Sequence, residues 1–146
     1  MVGRGLGMTT VLDGRPKSGG LPVPFVCEDD DGALDHSHVV KRRAILCALS
    51  RICGICGDPL TRPIAFFGPD SEGEAGLFTF PPMHVSCAQA ALDLFVPIGG
   101  SHLGQVEPPL RWTLLTTGGF DLVRPTRRGG VVRFSPNSVL ETHAIE

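Results

Sequence analysis

Two pairs of potential metal ligands stand out in the chain, each pair separated by two residues. The first pair is Cys53 and Cys56, followed by Gly57, and the second is His84 and Cys87. Three thiolates and one imidazole form the closed tetrahedral donor set that is typical of structural zinc. We therefore expect one structural Zn²⁺ ion, with geometry rather than raw affinity favouring zinc over iron.

Catalytic chemistry at this metal is not expected, because a catalytic zinc keeps an open position beside three protein ligands. Zinc deaminases need a His-x-Glu sequence ahead of the cysteine pair, and His36-Ser37-His38 has no glutamate in that place. Nucleases of the HNH type need a histidine on the hairpin, and residues 57–83 contain none. The sequence thus favours a structural role for the metal.

Local elements must bring the two ligand pairs together. Residues 53–60 form a predicted tight turn, since two glycines and an Asp-Pro step supply unusual dihedral angles. A hairpin is predicted over residues 62–80, and a helix over residues 83–95 carries the second pair on one face. The order of turn, hairpin and ligand-bearing helix resembles the treble-clef zinc finger, so the predicted fold class is α+β with a small treble-clef-like unit.

The remaining elements are an N-terminal helix and C-terminal antiparallel strands. The helix is predicted over residues 36–51, capped by Asp35 or Ser37. Its buried stripe is predicted to contain Val39, Leu46, Leu49 and Ile52, with Ala44 and Cys47 at the margins. Strands 111–116 and 120–124 are predicted to form a hairpin with Gly118-Gly119 at its tip, and residues 131–134 a further strand.

Composition limits the size and the class of the protein. The chain has 146 residues, 42% of them hydrophobic, with 19 glycines and 13 prolines, which predicts one loop-rich domain. We expect a flexible or extended leader over residues 1–26, a zinc-binding domain over residues 27–135 and a mobile tail over residues 136–146. The formal net charge of −2 excludes a uniformly basic chain that coats nucleic acid by charge alone.

The cellular compartment is predicted to be the cytoplasm. No stretch of 18 apolar residues is present and the N-terminus lacks the apolar region of a signal peptide. Five cysteines, an odd number, fit metal ligands and spare buried thiols better than a disulfide framework. Neither a membrane association nor a small-molecule cofactor is expected.

A second site remains an open alternative. The acidic run Asp29-Asp30-Asp31 with Asp35, His36 and His38 could gather another metal, although a solvated loop before a helix is the simpler interpretation. Cys27 and Cys47 could act with these histidines, although buried apolar thiols are the simpler interpretation. The alternative function is therefore a metal-dependent hydrolase or nuclease, or a cysteine enzyme, that uses Asp29–His38 with Cys27 or Cys47.

Basic residues form two groups that could contact phosphates. The possible nucleic-acid contacts are Lys41, Arg42, Arg43, Arg51, Arg124, Arg127 and Arg128. Arg111 and Arg133 lie near the second group, and the available aromatic stacking partners are Trp112, Phe120 and Phe134. Arginines on exposed elements are also common without such a role.

Several segments resemble a family of small, uncharacterised actinobacterial and actinophage proteins. They are Arg4-Gly-Leu, the LPVPF-like residues 20–26, residues 49–57 around the first ligand pair and residues 81–91 around the second. Members often carry a Cys-Pro after the helix, whereas this chain has Val96-Pro97 there. The resemblance implies a fold and a metal but no reaction, so we expect a non-enzymatic, zinc-stabilised interaction module that binds a protein partner or nucleic acid.

Overall fold

The computed structural model describes residue 12, residues 14–105 and residues 107–145. The helices of this part are a short 3-10 helix (Phe25–Cys27), α1 (Lys41–Ser50), α2 (Asp70–Ala75) and α3 (Val85–Phe95). Its strands are β1 (Lys17–Ser18), β2 (Leu21–Pro22), β3 (Ile64–Pro69), β4 (Met83–His84), β5 (Trp112–Thr117), β6 (Phe120–Val123), β7 (Arg133–Pro136) and β8 (Val139–Ile145). None of the helices in these ranges is both long and apolar enough to cross a membrane.

A four-stranded sheet in the order β4-β3-β5-β8 lies at the centre of the fold. All neighbouring strands run antiparallel, with Ile64 opposite His84 and Phe66 opposite Leu115. Two strand pairs, β1 with β2 and β6 with β7, stand outside this sheet. The combination of helices and antiparallel sheets confirms the predicted α+β class.

The central sheet separates two hydrophobic clusters. Successive side chains of a strand point to opposite faces, so Ala65 and Phe67 of β3 join a cluster with α3 and the cysteine-rich turn. Ile64 and Phe66 join the second cluster, with Phe120 of β6 and other residues. Burial on both faces explains why β3 is a continuous apolar run rather than an alternating one.

Helix α3 follows the sequence prediction closely. It spans Val85–Phe95, and Ala88, Ala91 and Phe95 are buried. The two residues before it, Met83 and His84, form β4 and pair with β3 instead of continuing the helix. The helix therefore begins directly at the sheet edge.

Helix α1 begins later than predicted. Asp35 does not cap it: its carboxylate accepts hydrogen bonds from the backbone N–H and the hydroxyl of Ser37. Such a local turn competes with helix formation. The helix starts at Lys41 after Val40, which provides no side-chain cap.

The prediction of the buried residues of α1 was wrong for Leu46 and Leu49. Leu46 and Leu49 are 43% and 67% exposed, while Ala44 and Cys47 are fully buried. Small side chains on the buried face allow the helix to lie close to its neighbours, and this leaves the leucines outside. Val39 and Ile52 are partly buried against the core, as expected.

Both predicted hairpins are paired differently. β3 pairs with β4 and β5 rather than with residues 77–80. Phe78 of that segment forms only an isolated bridge with Phe134. The intervening polar segment forms α2 rather than a loop. Strands β5 and β6 belong to different sheets, because β6 pairs with β7 and β5 pairs with β8.

Thr117 redirects the chain between β5 and β6. Its hydroxyl donates to the carbonyl of Gly119 and accepts from the backbone N–H of Ser138. Thr117 is fully buried, so this hydroxyl is satisfied inside the protein. The two glycines thus lead the chain out of the sheet rather than into a two-stranded hairpin.

Both ends of the described chain, predicted as a flexible or extended leader and a mobile tail, pack against the rest of the protein. Val23 and Val26 are fully buried, and the backbone N–H groups of Phe25 and Val26 bind the carbonyls of the cysteine-rich turn at 2.9 and 3.2 Å. Residues 139–145 form β8 along β5 instead of a mobile tail, because the edge of β5 offers backbone partners. Residues 1–11 of the predicted leader lie outside the described residues.

Candidate metal centre

A tight turn holds the first ligand pair. An isolated bridge joins Ile52 to Pro59, and the backbone N–H of Cys53 donates to the Asp58 carbonyl at 2.8 Å. Gly57 has a φ of +82°, a left-handed conformation that glycine adopts without strain. The turn thereby brings Cys53 and Cys56 to the same side.

The second pair is fixed by the junction of sheet and helix. His84 is the extended N-cap residue of α3 and pairs with Ile64 in the sheet. Cys87 lies in the first turn of α3, so both side chains reach the same side of the helix N-terminus. Backbone N–H groups at that terminus favour negative charge on sulfur.

The four ligand atoms converge on one point. They all lie within 4.8 Å of one another, and Nδ1 of His84 lies 3.5 Å from the Cys56 sulfur and 3.7 Å from the Cys87 sulfur. A tetrahedral ion with metal–sulfur bonds of about 2.3 Å separates its sulfurs by about 3.8 Å. Cys53, Cys56, His84 and Cys87 are therefore close enough to hold a metal ion, as the sequence predicted.

The imidazole of His84 is held in the orientation that a metal ligand needs. Its Nε2 lies 2.7 Å from the carbonyl oxygen of Pro59. A carbonyl can only accept, so Nε2 carries the proton and Nδ1 keeps its lone pair towards the sulfurs. Such an outer hydrogen bond commonly fixes the tautomer of a metal-binding histidine. The sequence pattern gave no signal for it, because Pro59 contributes a backbone atom.

Several hydrogen bonds stabilise a negative charge on the sulfur of Cys53. Its sulfur accepts the backbone N–H groups of Ile55 and His84, each at 3.4 Å. Burial alone raises a thiol pKa, but hydrogen bonds from Cys56, Cys87 and the backbone outweigh it and lower the pKa of Cys53 to about 3. Hydrogen bonds with the sulfurs of Cys53 and Cys56, followed by burial, raise the pKa of Cys87.

A cleft of about 500 Å³ opens beside the cluster. Cys53 and Cys87 are buried, whereas Cys56 and His84 are partly exposed. Arg15, Asp58 and Ser86 complete the lining with the cluster residues. An ion held by all four ligands would present sulfur and imidazole to this cleft rather than an open coordination position.

Cys27 and Cys47 are placed as inert thiols. They are 1% and 0% exposed, respectively, and burial raises the pKa of each to about 12. The Asp35 carboxylate adds to the rise for Cys27, and Cys53 adds to it for Cys47. A nucleophile needs an accessible thiolate, and these two side chains offer neither access nor charge.

The acidic segment is engaged in local structure. Asp29 accepts the backbone N–H groups of Asp31 and Ala33, and Asp30 forms an ion pair with Arg42. The ring of His36 packs edge-on against Phe95 at 5.5 Å between centroids, and His38 is exposed. Among the residues that the structure describes, the Cys53 group is the one set of three or more potential ligands that come together.

The predicted basic residues are divided among different environments. Arg43 is 19% exposed, donates to the Phe25 carbonyl at 2.9 Å and stacks 4.5 Å from the Phe25 ring centroid. Arg51 lies over the ring of Phe120 at 4.9 Å. Lys41 and Arg42 on α1, and Arg124, Arg127 and Arg128 after β6, are exposed. The predicted aromatic stacking partners Trp112, Phe120 and Phe134 are buried.

Sequence reasoning missed one charged cluster. Arg15 and Arg43 both approach the Glu28 carboxylate, at 2.6 and 3.5 Å, and both face the Phe25 ring. These residues are separated along the chain and follow no motif, so only the tertiary structure reveals that they meet. The cluster ties the segment before α1 to the helix itself.

Comparison with protein-family models, with curated proteins and with solved structures finds no match to this chain.

Proposed function

We propose that this protein is a non-enzymatic interaction module stabilised by one structural Zn²⁺ ion. The ion would be held by Cys53, Cys56, His84 and Cys87 and would cross-link the cysteine-rich turn to α3. The cysteine-rich turn, the β3–β4 pair and α3 follow one another as in a treble clef, with β4 directly before the helix. The same proposal includes a cytoplasmic protein of actinobacterial or phage type, as the sequence resemblance implies.

The main support for a scaffold role is that four protein ligands come together at one point. Four protein ligands leave a tetrahedral zinc without a position for substrate or water. The two other cysteines are buried thiols with raised pKa values, which weakens the alternative of a cysteine enzyme. The alternative of a hydrolase at Asp29–His38 is weakened by the internal pairing of Asp29 and Asp30.

A protein partner is favoured over nucleic acid by the surface of α1. Leu46 and Leu49 are exposed beside a groove of about 440 Å³ that also contains Ile45 and the Asp30–Arg42 ion pair. Because the charges in this groove are already paired, its exposed apolar side chains suit a partner that carries apolar side chains. Nucleic-acid binding lacks exposed aromatics among the candidates, since Trp112 is only 7% exposed.

Metal analysis tests the scaffold. Elemental analysis of the purified protein should give one equivalent of zinc per chain. The cobalt-substituted protein should show the visible absorption of a tetrahedral site with three thiolates, unchanged by added azide. A spectrum that shifts with azide would reveal an exchangeable position and would contradict a closed structural site.

Selection from a random peptide library tests the partner surface. We expect enriched peptides to be rich in apolar residues and to lose binding to Leu49→Asp. Leu110→Asp is the matched control, because Leu110 is 96% exposed and lines grooves other than the one beside α1. Binding of an oligonucleotide that weakens steeply with salt, with no peptide enrichment, would instead support the nucleic-acid alternative.

A further inference from the structure

Strand β8 leaves one edge of the central sheet open. It pairs with β5 on one side, and within the described ranges no strand pairs with its other side. Residues 139–144 are exposed, with Val139 at 50% and Leu140 at 62%. Proteins usually protect such an edge with proline, lysine, a bulge or a short strand. β8 contains neither proline nor lysine, and its register along β5 shifts at Leu140, so residues 141–145 are its regular part.

The sequence of β8 is complementary to itself in antiparallel orientation. We propose that β8 pairs with β8 of a second copy of this chain, in a register centred on Thr142, and joins two central sheets into one. A two-fold axis at Thr142 sets Glu141 opposite His143 of the second copy. Two-fold interfaces use the same surface on both subunits, and a lone edge strand supplies such a surface.

Charge selects this register over its neighbours. Glu141 and His143 lie on the same face of β8, 3.2 Å apart, and are 69% and 55% exposed. A register centred on Glu141 would set two glutamates opposite each other, and one centred on His143 would set two histidines opposite each other. Two glutamates directly across a strand pair repel each other, and a histidine pair would leave each Glu141 without a cross-strand partner. Only the Thr142 register gives every Glu141 a histidine partner on the neighbouring strand.

An apolar surface lies beside the C-terminal end of the proposed strand pair. Ile145 lines a groove of about 420 Å³ together with Trp112 and the exposed Leu110. The pairing would therefore cover part of this apolar surface, while Thr142 of each copy would meet its counterpart on the opposite face of the sheet.

This association does not depend on the metal or on the surface of α1. One strand pair is a small interface, so we expect a dissociation constant between about 1 μM and 1 mM. Sedimentation equilibrium of the full chain over this range should show a reversible monomer–dimer equilibrium. A chain that remains monomeric up to about 1 mM would overturn the proposal.

A charge exchange tests the residues that face each other. His143→Glu places carboxylates opposite carboxylates and should raise the dissociation constant about tenfold. Thr126→Glu adds the same charge on an exposed loop after β6 and should leave the constant unchanged. The double variant Glu141→Lys/His143→Glu restores opposite charges and should restore the dimer. An equal response to His143→Glu and Thr126→Glu would contradict pairing through β8.

Cysteine cross-linking tests the register without depending on affinity. Two Thr142→Cys chains would place their Cβ atoms about 5 Å apart across the axis, within reach of a disulfide. Oxidised glutathione supplies the oxidant: the two thiols lose two electrons and two protons and form one disulfide. Leu140→Cys is the matched control, since its two copies would lie several residues apart. Efficient cross-linking at residue 140 rather than residue 142 would refute the register.

Discussion

His84 shows how one residue joins several constraints of the candidate metal centre. Its backbone pairs with β3, its Nε2 donates to the Pro59 carbonyl and its Nδ1 faces the sulfurs of Cys56 and Cys87. Side-chain spacing predicted its proximity to the cysteines. The tautomer depends on a backbone oxygen 25 positions earlier in the chain, which no local pattern encodes.

Replacement of a ligand at the residue scale should release the metal. We expect Cys87→Ser to reduce bound zinc well below one equivalent and to lower the free energy of unfolding by roughly 3 kcal/mol or more, because metal binding is coupled to folding. Urea unfolding with parallel elemental analysis measures both effects. Cys47→Ser is the control: it removes a buried thiol outside the cluster and should retain the metal. Full zinc occupancy in Cys87→Ser would contradict the assigned ligand set.

Two partly buried histidines should make stability depend on pH. Burial lowers the pKa of His36 and of His102, whose rings lie 5.0 Å apart against Phe95. The nearby Asp35 carboxylate opposes the fall in the pKa of His36. The charge of His36 lowers the pKa of His102 further. The unfolded chain therefore binds more protons, so this stability is complete above the ordinary histidine pKa of about 6.5 and is lost as the pH falls below it.

Thermal melts of His102→Phe measure this contribution. Between about pH 7.5 and 5.5, the melting temperature of the wild type should fall roughly 3 °C further than that of the variant. His38→Phe removes an exposed histidine and should behave like the wild type. Parallel curves for the wild type and His102→Phe would show that the His102 ring contributes nothing in this range. The comparison cancels the titration of the metal ligands, which all three proteins share.

At the scale of elements, the cysteine-rich turn depends on the segment before α1. A Cβ at Gly57 would lie 3.0 Å from the Phe25 ring, and Phe25 is itself held by Arg43. In the predicted turn, the glycine serves for its conformational freedom. The close approach of Phe25 is an additional reason, and it arises only when the N-terminal segment folds back.

Gly57→Ala should therefore combine backbone strain with a steric contact. We expect a loss of about 2–3 kcal/mol in the free energy of unfolding. Gly19→Ala is the matched control, because Gly19 also has a positive φ of +62° but no heavy atom within 4 Å of its added Cβ. Its expected loss is about 1 kcal/mol. Equal losses from the two substitutions would remove the role assigned to Phe25.

At the scale of the whole molecule, the metal would cross-link two elements of one hydrophobic cluster, and the central sheet joins this cluster to the other. The cysteine-rich turn and α3 lie on one face of β3 and β5, and the β6–β7 pair lies on the other. Chelation with EDTA should lower the melting temperature of the whole molecule, measured by circular dichroism, and added zinc should restore it. An identical melting temperature with and without EDTA would show that the metal does not stabilise the fold.

The sequence by itself determined the candidate ligand set, the position of α3 and the α+β class. These features depend on short-range spacing: two intervening residues place paired ligands on one turn, and small apolar residues at helical intervals mark the buried face of α3. Only the tertiary structure decided which strands pair, which face of α1 is buried and that residues 139–145 form an edge strand. Several apolar segments can occupy the same sheet position, and long-range packing selects among them. For α1, that packing favoured Ala44 and Cys47 over the larger Leu46 and Leu49, because a close approach of the helix leaves no room for the leucines.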